Sequence, residues 1–128
     1  MKPSKADFAP QCPIRDVLDR FGDRWSILIL LTLSDGKMRF MELLRAIPDI
    51  SQRMLAKSLR TLEEDGFVSR RVFPTVPPRV DYELTPMGES LMTQVRALVV
   101  WAKDHHDKIR ESRALMKERS GQAPGARV

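Results

Sequence analysis

Apolar residues recur at three- and four-residue intervals through most of this chain, and the breaks in that rhythm predict five helices and one pair of strands. The first helix opens at Pro13, a residue suited to a first helical position, carries Ile14, Val17, Leu18 and Phe21 on one side, and ends at Gly22. Asp23 caps the second helix, in which Trp25, Leu28, Ile29, Thr32 and Leu33 mark one face and Asp35-Gly36 supplies the stop. That helix is apolar on nearly every side, which places it at the centre of the core. After a short link, Lys37-Met38-Arg39, a third helix is predicted from Phe40, Leu43, Leu44 and Ile47, ending before Pro48. Ser51 caps a fourth, with Met54, Leu55, Leu59 and Leu62 as its buried stripe and Gly66 as its terminator.

The period then changes. Phe67 to Phe73 has strand character, and Val80 to Leu84 alternates Val80, Tyr82 and Leu84 against Asp81 and Glu83, which predicts a β-hairpin with its apolar members inward. Its connection, from Pro74 to Arg79, holds three prolines and projects as a stiff loop. Thr85-Pro86 opens a long last helix in which Leu91, Val95, Leu98, Ala102 and Ile109 recur, widened by Val99 and Trp101 to an apolar surface that needs a partner. Trp25, Phe40, Met54, Phe67 and Trp101 are taken as core packing, and His105 and His106 as surface residues. The fold class is mainly α with a small β-hairpin. It divides into an N-terminal arm (1–11), a single winged helix-turn-helix domain (12–119) and a flexible tail (120–128).

Composition narrows the function. The chain has 128 residues, 42% hydrophobic and 30% charged, enough for one modest core. A net charge of +5 favours polyanionic partners. No apolar run approaches the roughly 20 residues that cross a bilayer, and the first nine residues lack a secretory core, so the expected location is cytoplasmic, with no membrane partner. One cysteine, Cys12, and an adjacent histidine pair are too few ligands for a structural zinc site, and no cofactor is expected.

The charge is not evenly spread. From Lys37 to Arg79 there are nine Lys or Arg against five Asp or Glu, so this window holds four of the five net positive charges. On the fourth helix Arg53, Lys57 and Arg60 stand four and three residues apart, in line on the face opposite Leu55, Leu59 and Leu62. Alone, such a trio is a common solvated face. Behind a tight turn and ahead of a hairpin, it points to double-stranded DNA. Gln52 and Arg53 stand where base edges are met, Lys57 and Arg60 where phosphates run, Ser51 combines a cap with a phosphate donor, and Arg79 on the wing reaches the minor groove or the backbone. Glu63, Glu64 and Asp65 close the helix at an end that phosphates repel. The competing reading is a winged helix that docks another protein without sequence-specific DNA binding. An enzyme is not expected, because the chain has no phosphate-binding glycine loop and no nucleophile set beside a base; a hydrolase built from Cys12 with His105 or His106 rests on nothing but composition.

The runs CPIRDVLDRFGDRWSILILLTL, RFMELLRAIPDISQRMLAKSLRTLEEDGFVSR and PPRVDYELTPMGESL closely resemble the HxlR-type family of bacterial winged-helix regulators, relatives of the MarR group, over about residues 12 to 106. Asp23, Arg24 and Met41 depart from the family's usual residues. The resemblance implies a homodimer held mainly by the terminal helices. It also implies two recognition helices on a pseudo-palindromic operator, contacts through Ser51, Gln52, Arg53, Lys57 and Arg79, and repression as the common outcome. It adds a role for Cys12, since relatives with a cysteine there include sensors of oxidants and electrophiles. At the start of the first helix the local field favours a thiolate. Two roles stay open for Cys12: sensing, and plain packing at the dimer interface.

Overall fold

A computed structural model describes residues 12–122, together with Lys5 and Ala9. The arm expected over 1–11 otherwise lies outside the described residues. The elements run α1 (Pro13–Arg20), α2 (Ser26–Leu33), β1 (Met38–Arg39), α3 (Phe40–Ala46), α4 (Gln52–Glu64), β2 (Val68–Phe73), β3 (Arg79–Leu84) and α5 (Pro86–Gln122). Two compact units result, the first up to Thr93 and the second from Gln94.

In the first unit, α2 packs against α3, α4 and β3. Its start is fixed by Asp23, whose Oδ1 accepts the Trp25 and Ser26 backbone N–H groups at 2.6 and 2.7 Å, while the Ser26 hydroxyl donates to Oδ2 at 2.6 Å. Burial alone raises the Asp23 carboxyl, but these bonds, led by the Ser26 side chain, outweigh it and hold the pKa below its ordinary 3.8. The buried face is Ser26, Ile29, Leu30 and Leu33. It lies to one side of the expected stripe: Leu28 is exposed, and Thr32 spends its hydroxyl on the Leu28 carbonyl. In a helix apolar all round, period alone does not choose the inward side.

The helix ends follow their residues closely. Gly66, at φ +84°, closes α4 in a Schellman arrangement: its N–H donates to the Glu63 carbonyl and the Phe67 N–H to the Leu62 carbonyl, each at 3.0 Å. Thr85 caps α5 by accepting the Gly88 N–H at 3.1 Å, and its own hydroxyl donates to the Gly66 carbonyl. The end of α4 is thereby tied to the beginning of α5. At the far end α5 continues to Gln122, so Ser120 and Gly121, expected to start the tail, are helical; 123–128 lies outside the described residues.

The sheet has three antiparallel strands in the order β1-β3-β2, one more than the hairpin expected. The extra strand is the Lys37-Met38-Arg39 link, where Met38 pairs with Tyr82 and Arg39 with Asp81. Two residues are too few to show an alternating pattern. A second departure concerns β3, whose buried members are Leu84 and Asp81, with Val80 and Tyr82 only half-buried. Alternation fixes which face a side chain takes, and arginines on the polar face cover Asp81. Trp101, expected in the core, is exposed in the second unit and stacks on His105 with ring centroids 4.4 Å apart.

Candidate nucleic-acid interface

The turn between α3 and α4 is set by short-range chemistry. Pro48 follows α3, Asp49 adopts φ +68°, and Ile47 and Ile50 are buried. Asp tolerates this left-handed conformation better than most residues, and the two isoleucines pin the turn from within. Ser51 then caps α4, its Oγ accepting the Met54 N–H at 3.0 Å. The hydroxyl hydrogen is not used in that bond and remains a donor.

Leu55, Ser58, Leu59 and Leu62 are the buried residues of α4, and Gln52, Arg53, Lys57 and Arg60 are exposed. Thirteen residues make a rod about 20 Å long, of a diameter that enters the DNA major groove. Among the described residues the side chains of Gln52, Arg53 and Lys57 have no hydrogen bond or ion pair. Arg60 differs, because its Nε lies 3.3 Å from Oε1 of Glu64 one turn on. Of the acidic trio at the end of α4, Glu64 is thus turned to Arg60, and Asp65 pairs with Arg20 of α1 at 3.3 Å.

Arg79 stands at the base of the wing rather than at its tip, as the first residue of β3, paired in register with Phe73. Its guanidinium carbon lies 4.1 Å from the centroid of the Phe73 ring and its Nε 3.4 Å from Oδ1 of Asp81. Asp81 sits opposite Arg39 on β1 and Arg71 on β2, so one carboxylate, 7% exposed, is shared by three arginines on one face of the sheet. Reading the chain linearly missed this constellation. Its signal was a charged residue inside PPRVDYELT, but its partners come from three strands. The tip proper, 74–78, carries a fully exposed Val76.

Cys12 is the N-cap of α1, and its Sγ accepts the Arg15 N–H at 3.3 Å. The residue is 7% exposed, whereas no residue of α1 itself is buried and Val17 and Leu18 are 48% and 64% exposed. Among the described residues no cluster of three or more His, Cys, Asp or Glu is placed to hold a metal ion, and no helix is long and apolar enough to cross a membrane.

Three likenesses bear on this geometry. The HTH-type transcriptional regulator YtfH of Escherichia coli is 50% identical over 94 residues, spanning 73% of this chain and 75% of its own. The structure of a transcriptional regulator ytfH from Salmonella typhimurium, 45% identical, superposes with a TM-score of 0.75 over 84% of this chain and 96% of that one. The reduced form of the redox regulator HypR, 39% identical, gives a TM-score of 0.74 over 77% of this chain and 98% of its own. The family model described as HxlR-like helix-turn-helix matches residues 20–110. With the recognition helix, the wing and these likenesses in agreement, the chain belongs to the HxlR-like helix-turn-helix family of transcriptional regulators.

Proposed function

We propose that the protein is a cytoplasmic repressor that binds a pseudo-palindromic operator as a homodimer. The observation that carries this reading is α4: Arg53 and Lys57 stand unpaired on its outer face, Ser51 and Gln52 open it, and leucines lock the opposite face into the core. Gln52 and Arg53 read base edges, bidentately to adenine and guanine respectively. Lys57 and the Ser51 hydroxyl take phosphates, Arg60 contributes after leaving Glu64, and Arg79 sets the wing beside the duplex. Dimerisation is supported by two exposed apolar surfaces, Val17 and Leu18 on α1 and, separately, Leu98, Trp101, Leu115 and Met116 on α5. Patches of this kind mark interfaces.

The test is selection of bound duplexes from random DNA, followed by a salt titration. Recovered sites should be two-fold symmetric, and log affinity should fall linearly with log salt. Arg53→Ala should cost about 1–3 kcal/mol and relax preference at one position in each half-site. A titration flat in salt favours the protein-docking alternative. A monomer indifferent to every duplex at low ionic strength removes the reading.

Cys12 is the proposed sensing residue. Its support is the N-cap position, where modification of Sγ removes the acceptor for the Arg15 N–H, together with the likeness to HypR, described as a redox regulator. Burial at 7% means that a reagent reaches the thiol only when the start of α1 opens. With one cysteine in the chain, a disulfide joins two subunits or captures a small thiol. Identical operator release by Cys12→Ser and wild type under diamide or a quinone ends this part of the proposal.

A further inference from the structure

A groove of about 670 Å3 opens between the start of α3 and the start of β3, with Arg39, Met41, Arg45, Pro78, Arg79 and Val80 along its walls. Its charge is one-sided. Glu42, the carboxylate on its wall, accepts the Arg39 backbone N–H at 2.9 Å, and Asp81 is engaged with Arg79. Among the described residues neither the Arg39 nor the Arg45 guanidinium has a carboxylate within ion-pairing distance. Fixed cations without counter-charges in a groove concentrate anions there. The remaining wall is carbon: Met41 is 45% exposed, and Pro78 and Val80 continue the apolar surface.

Alternating cationic and apolar walls match a sugar–phosphate strand, whose phosphates are anionic and whose deoxyribose rings present carbon. We propose that this groove seats the DNA backbone beside the recognition helix, with Arg39 and Arg45 on phosphates and Met41, Pro78 and Val80 against the sugars. The inference rests on the DNA-binding reading above and adds to it residues on α3 and β1 that no part of α4 supplies. Arg79 acts here as a positioning residue, held by Asp81 and Phe73. A small organic anion would satisfy the same charges, but ligand sites enclose most of their ligand, whereas Arg39, Met41 and Arg45 all stand exposed.

The experiment compares Arg39→Ala, Arg45→Ala and Arg53→Ala on the selected operator and on an unrelated duplex across a salt series, with melting curves to confirm folding. The first two should weaken both duplexes by the same factor and make the log–log salt slope shallower by about 0.9 each, the signature of one lost phosphate contact. Arg53→Ala should act mainly on the operator. If the slopes of Arg39→Ala and Arg45→Ala match wild type while Arg53→Ala loses operator affinity, the groove proposal is overturned and the DNA-binding reading stands. If unchanged slopes accompany stabilisation of wild type by benzoate that the Arg39→Ala/Arg45→Ala double variant lacks, the groove belongs to small anions and the proposal is again overturned. Wild-type protein that binds neither duplex overturns both.

Discussion

Nε of Arg79 lies 3.4 Å from Oδ1 of Asp81, two residues along the same strand and therefore on the same face of the sheet. Cross-strand register adds Arg39 and Arg71 on either side of that carboxylate. Asp81 is the counter-charge that lets three arginines share a small sheet face. Its removal leaves like charges opposed, and the 36% of the Arg79 side chain still in water screens part of the loss. Asp81→Ala should lower stability by about 1–2 kcal/mol in urea unfolding. The Asp81→Ala/Arg79→Ala double variant should lose less than the sum of the two single losses; simple additivity would show that the pair is not coupled.

Arg60 and Lys57 are both exposed on α4, but Arg60 alone is paired, with Glu64 at 3.3 Å. Binding DNA through Arg60 means giving up that pair and bringing Glu64 toward phosphate. Arg60→Ala should therefore weaken duplex binding less than Lys57→Ala, and Glu64→Gln should strengthen it, most at low salt. Equal losses for Arg60→Ala and Lys57→Ala, with Glu64→Gln neutral, would contradict this.

Gly88 is fixed by space. A Cβ there would collide with the Phe67 carbonyl oxygen, a backbone atom that cannot turn aside, and would crowd Leu84 as well. Gly88→Ala should be destabilising by about 1–3 kcal/mol or more. Gly121, helical with nothing within 4 Å of a built Cβ, is the control, and Gly121→Ala should be neutral or slightly stabilising by helix propensity. Thermal melts of the two variants decide the matter.

The Asp23 carboxyl accepts three hydrogen bonds at the start of α2, and its pKa in the folded protein lies below 3.8. A depressed carboxylate pKa contributes stability that is present above the unfolded value and lost as pH falls through the folded one. Asp23→Ala should cost about 0.5–2 kcal/mol at pH 7. The gap in urea midpoint between variant and wild type should hold constant down to about pH 5 and narrow below the unfolded value. A gap independent of pH from 7 to 2 would place the contribution elsewhere.

The local signals were legible because each acts over a few residues. Pro13, Asp23, Ser51, Gly66 and Thr85 set helix ends by bonds to backbone groups no more than four positions away, or by a φ that favours glycine, and all five stand at the ends they predict. The row Arg53, Lys57, Arg60 opposite Leu55, Leu59 and Leu62 follows from helical period in the same way, as does the exposure of those three cations. What the tertiary structure decided depends on residues far apart in the chain. Pairing of Met38 and Arg39 with β3 makes a strand of a link, and register across β1, β3 and β2 turns Asp81 into a buried partner of three arginines. The inward side of α2 and the groove between α3 and β3 belong to the same class. Period and capping are properties of consecutive residues, whereas register, burial and shared charge exist only after the chain has brought distant segments together.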